Sequence, residues 1–63
     1  MDYAKDGKFR WCGVEYIITE VKNVHYGTMV VVNRISGGHS GWWIDKDDLD
    51  IAFMMGDAER IGS

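Results

Sequence analysis

Residues 41–50 read GWWIDKDDLD, and the fold turns on how this stretch is understood. Two adjacent tryptophans, Trp42 and Trp43, stand directly before Ile44 and a run of aspartates. Gly41 to Ile44 is aromatic and β-branched, the composition of a half-buried strand. Asp45 to Leu49 is short and acidic, which predicts a single 3₁₀ turn with Asp45 accepting backbone N–H groups at its start. Asp50 to Phe53 is then expected to close as a last short strand. Met54 to Ile61 is left as an irregular or briefly helical tail.

Working outward, Ser36 to Gly41 (SGGHSG) holds three glycines in six residues and reads as a hairpin connection, because glycine supplies the positive φ that such turns need. Before it, Thr28 to Ile35 is almost continuously apolar and reads as a central strand covered on both sides. Val14 to Val21 (VEYIITEV) alternates imperfectly, which suits a strongly bent strand. Phe9, Trp11 and Cys12 form a further β-prone piece closed by Gly13. Five short strands with a tight glycine hairpin predict an all-β domain closed into a small barrel, since closure removes exposed edges. Val14, Tyr16, Ile18, Val30, Val32, Ile44 and Leu49 are the expected core.

The whole chain is 63 residues, which predicts one domain over residues 1–63, with 1–7 and 62–63 expected to be flexible. A single cysteine permits no internal disulfide, and Cys12, His25 and His39 do not match a zinc spacing. An apolar fraction of 46% with eight aromatic residues must therefore carry the fold. Cys12 itself is expected as a small buried hydrophobe. The lone thiol and the lack of a signal-like segment predict a reducing, cytoplasmic setting. No apolar run is long enough for a membrane span.

The net charge is −3 and unevenly spread. Residues 1–34 carry five basic against four acidic side chains, whereas residues 35–63 carry six acids against Lys46 and Arg60. Nucleic-acid binders usually show a basic excess, so this balance argues against that class.

The segment Trp43-Ile44, Asp45 to Asp47, Asp48-Leu49 resembles the closing W-[IV]-x-x-x-D-L segment of SH3-like barrels, and the resemblance extends over about Val14 to Phe53. It implies a five-stranded SH3-like barrel with a 3₁₀ turn before the last strand. It also implies a register in which Trp43 lies in the barrel wall and Trp42 on the outer surface. Small stand-alone barrels of this kind look like phage-type proteins that engage host machinery.

An exposed tryptophan either shields the sheet or anchors a partner, and aromatics are enriched among interface hot spots. On the second reading Trp42, with Tyr16 or Tyr26 nearby, forms an aromatic patch. Asp45, Asp47 and Asp48 then form an acidic rim that steers a basic partner. As a calcium loop, D-K-D-D-L-D lacks the required glycine and distal glutamate. His39 beside Ser40 is only sequence adjacency, and no phosphate-binding loop is present. The expectation is a non-enzymatic protein–protein interaction module, an adaptor or an inhibitor of a larger protein. It would use no cofactor, metal or membrane and act as a monomer or weak homodimer. The competing reading is a nucleic-acid-binding β-barrel using Lys5, Lys8, Arg10, Lys22 and Arg34 with aromatic stacking.

Overall fold

A computed structural model describes residues 2–36 and 41–62. The elements are β1 (Lys8–Trp11), β2 (Val14–Val24), β3 (Gly27–Arg34), β4 (Trp42–Asp45), α1 (Lys46–Met54) and β5 (Ala58–Arg60). The five strands form one antiparallel sheet in the order β4-β3-β2-β1-β5. Strands make up 53% of the described residues and the one helix among them is short, so the domain is mostly β.

Two tight turns make the meander. Cys12 (φ 54°) and Gly13 (φ 78°) join β1 to β2, and positive φ at both central positions is the type I′ pattern that matches strand twist. Cys12 is accordingly exposed at a hairpin tip, not buried as its residue type suggests. His25 and Tyr26 join β2 to β3. Within β2 the pairing slips between Ile18 and Glu20, leaving Thr19 unpaired. This bulge bends the strand and accounts for its imperfect alternation. The middle strand of the sheet is β2, not β3 as the apolar run suggests.

One face of the sheet holds the core. Val30 and Val32 are fully buried, and their partners Ile44, Trp42 and Ile18 share that face, because directly paired antiparallel residues point the same way. Phe9, Leu49, Ala52 and Ala58 complete the buried set, with Tyr16 and Ile44 packed at its margin. Val14, expected in the core, is only half-buried and stands outside this cluster.

The segment after β4 departs from expectation. The 3₁₀ turn over Asp45–Leu49 and the last strand over Asp50–Phe53 are replaced by one nine-residue α-helix. Three local features hold it. Asp45 caps the start, its Oδ1 accepting from the Asp47 N–H at 2.9 Å. Leu49, Ala52 and Phe53 recur at helical spacing and bury one side. Gly56, at φ 82°, ends it in a Schellman arrangement: Gly56 N–H donates to Phe53 O and Asp57 N–H to Ala52 O. The chain then returns as β5 along β1. The sheet has β4 and β5 as its two edges, and no pairing among the described residues closes it into the expected barrel. Instead α1 lies against β3, β4 and β5 and covers the core face.

Candidate functional site

The two tryptophans are placed by the β3–β4 register, in which Val32 pairs with Trp42 and Val31 with Trp43. Trp42 therefore lies on the core face and Trp43 on the opposite one. This inverts the expected assignment by one residue. The physical reason is that Ile44 must meet buried Val30, which forces every second residue of β4 inward. Both indoles nonetheless remain open, Trp42 at 38% and Trp43 at 52% of full exposure.

Each indole has a cation against it. The Arg34 guanidinium lies 5.3 Å from the Trp42 ring centre, and Lys22 Nζ lies 4.9 Å from that of Trp43. Such contacts contribute roughly 0.5–1 kcal/mol at exposed sites. Trp42 meets Tyr16 edge-on at 6.0 Å, and Tyr16 stacks on Phe9 at 5.4 Å. Phe53 and Tyr3 continue this row at 5.9 and 6.0 Å, so one line of rings runs from the edge of β4 to the core beside α1. Of the expected patch, the structure brings Trp42 and Tyr16 together. Tyr26 is not with them. It stands exposed at the β2–β3 turn, six residues from Val32 opposite Trp42, or about 20 Å along the strand at ~3.4 Å per residue.

The acids divide in a similar way. Asp45 ends β4 and spends one oxygen on the helix cap. Asp47 and Asp48 are exposed in the first turn of α1, where negative charge suits the helix dipole. Trp43 points to the side of the sheet away from α1, so those two acids and that indole do not share a surface.

A polar cluster that sequence reading did not identify sits at the inner end of the aromatic row. Tyr3 Oη donates to Asp50 Oδ1 at 2.6 Å, and Lys46 Nζ donates to Asp50 Oδ2 at 2.9 Å. Burial, reinforced by the Asp50 hydrogen bond, pushes the Tyr3 hydroxyl well above the usual tyrosine range. The Tyr3 hydrogen bond, then Lys46, holds the Asp50 carboxyl below its ordinary value, and the Asp50 bond raises Lys46. The i,i+4 spacing of Lys46 and Asp50 was the available signal; Tyr3 gave none, being 47 residues away.

Arg10 faces Glu15 and Glu59 across both of its neighbouring strands, at 3.0 and 2.6 Å, which fixes register on an exposed surface. A cleft of about 310 Å³ lies between Asp6–Lys8 and Arg60–Gly62. Its Arg60 is already engaged, donating to Asp2 O and leaning over Phe53. Among the described residues no three His, Cys, Asp or Glu side chains converge as metal ligands. His39 and Ser40 lie outside the described residues, as does most of the glycine-rich connection at 37–40. No helix among the described residues is long and apolar enough to cross a membrane. Comparison with family models, curated proteins and solved structures finds no match to this chain.

Proposed function

We propose that this chain is a non-enzymatic protein-interaction module that engages another protein through the aromatic surface around β4, as an adaptor or as an inhibitor of a larger protein. The observation that carries this reading is the pair of open indoles on an edge strand, one on each side of it. An edge strand ordinarily avoids large exposed rings, because its unpaired backbone already invites association. Here Trp42 and Trp43 flank that backbone, and tryptophan is the residue type most often found at the energetic centre of an interface. Asp45, at the end of the same strand, adds negative potential that orients a basic partner, while Asp47 and Asp48 lie apart on α1. An SH3-like architecture fits the same picture: the last strand returns beside the first, and a helical segment precedes it. The single cysteine suits a cytoplasmic protein, and a phage-type host-binding role is consistent with a stand-alone module of this size.

A second reading rests on the cations over the indoles. Arg34 with Trp42, and Lys22 with Trp43, pair a phosphate-binding group with a stacking platform, as single-stranded nucleic-acid binders do. The net charge of −3 weighs against it.

The experiment is affinity capture from the source cell with mass spectrometry, followed by binding measurements on variants of the captured pair. Trp43→Ala is expected to leave the fold intact and to weaken binding by about 2 kcal/mol or more. Full affinity in both Trp42→Ala and Trp43→Ala excludes the β4 surface. A titration with single-stranded DNA whose affinity falls steeply with salt selects the second reading instead.

A further inference from the structure

The helix presents a second surface that the β4 reading does not use. At about 100° per residue, Met54, Asp47, Ile51, Met55 and Asp48 fall within one arc of roughly 120°. All five are exposed, with Ile51 at 53%, Met55 at 72% and Met54 at 84%. The opposite arc carries Leu49 and Ala52, which are buried, and Phe53, which packs on the core. The outward side thus consists of three apolar side chains and two carboxylates, with no basic or amide group among them.

We propose that this outward face of α1 docks a cationic amphipathic segment of another protein, its apolar stripe on Ile51, Met54 and Met55 and its Lys or Arg side chains on Asp47 and Asp48. Charge decides the occupant. Among the described residues neither Asp47 nor Asp48 has an ion-pair partner, whereas Asp50, on the inward side, is held by Lys46. A second copy of the chain is a poor occupant. Packed antiparallel, it would set these acids against a last helical turn that contains no basic residue and carries the negative end of the helix dipole. A lipid surface is opposed for the same reason, since interfacial helices carry Lys and Arg around their apolar face. Two adjacent methionines suit a partner stripe of variable shape, because the thioether side chain is flexible and polarisable. Trp43 points away from α1 and neither indole is among these five residues, so the surface holds or fails independently of the β4 reading.

The test follows the methionine methyl resonances of the full chain during titration with a synthetic helical peptide of Leu and Lys at heptad spacing. The same peptide with Glu for Lys is the control. The Met54 and Met55 methyls should shift while half-buried Met29 stays still, and the Glu peptide should have no effect. Asp47→Lys with Asp48→Lys should weaken binding about tenfold or more and reduce its salt dependence. Met54→Gln with Met55→Gln should abolish binding in a chain whose circular dichroism is unchanged. The proposal is overturned if the two methyls ignore the Lys peptide or answer both peptides alike. It is equally overturned if they shift with protein concentration alone, which indicates self-association, or with phosphatidylcholine–phosphatidylglycerol vesicles and not the peptide.

Discussion

The two sides of α1 contain similar residue types put to opposite uses. Inward, Leu49 and Ala52 are sealed, and the acid on that side, Asp50, is bonded to Tyr3 and Lys46. Outward, Ile51, Met54 and Met55 are open, and Asp47 and Asp48 have no ion pair among the described residues. The difference teaches that apolar content does not mark the core of so small a domain. What marks it is whether an apolar side chain has a strand beneath it. Substitutions on the two sides should therefore differ far more than their chemistry suggests.

The largest effect is expected at Leu49, which is fully buried. Leu49→Ala should cost about 2–5 kcal/mol, close to the whole stability of a single small core at roughly 3–5 kcal/mol. The variant should be largely unfolded in urea titration at room temperature. A midpoint near that of the parent means that α1 does not close the core. Next come the two ends that hold both sides in place. Asp45→Ala should cost about 1 kcal/mol through the lost cap. Gly56→Ala should cost about 1–2 kcal/mol through its left-handed backbone. Either is measurable as a lowered thermal midpoint.

A pH series probes the inward cluster of Tyr3, Lys46 and Asp50. Asp50 is held below its ordinary value, so its contribution is present above the usual carboxylate range near ~3.9 and is lost as pH falls through the lowered folded value. Tyr3 is raised, so its contribution is present below the usual tyrosine value near ~10 and is lost as pH rises beyond it. Tyr3→Phe should flatten both limbs of stability against pH. Identical profiles for the parent and Tyr3→Phe remove the cluster from the account. The smallest effect is expected at Met54, where Met54→Gln should change stability by no more than ~0.5 kcal/mol. A larger loss means that the outward side is already packed against something.

The same two-sidedness explains what could be read from the sequence. Strands β2, β3 and β4 were legible because Val, Ile, Thr and aromatic residues cluster there between glycine turns. The helix was not, because apolar residues on both of its sides blur the 3.6-residue period by which a helix is recognised. Its end signals were present: Asp45 was read correctly as a capping acid, but Gly56 was not matched to it as the residue past the helix end. In β5, Ala-Glu-Arg has no strand preference of its own and becomes a strand only by pairing with β1. Of the expected core, Ile18, Val30, Val32 and Leu49 are buried. The tryptophan register failed because it was carried from a family pattern, whereas Ile44 opposite Val30 sets it.

The pairing of β5 with β1 also orders events in time. Val24 meets Gly27 across two residues, but Phe9 meets Arg60 across about fifty. At ~0.6 kcal/mol per doubling of loop length, that closure carries about 3 kcal/mol more entropy than the hairpin. The β2–β3–β4 meander is therefore expected to assemble first and β5 to dock last, after α1 has formed. The same strand should be the first to leave, so its amides should exchange with solvent sooner than those of β2 and β3. Once β5 lifts, Ala58 is uncovered and Ile61 N–H loses its bond to Lys8 O. Strand β5 is thus the latch on β1.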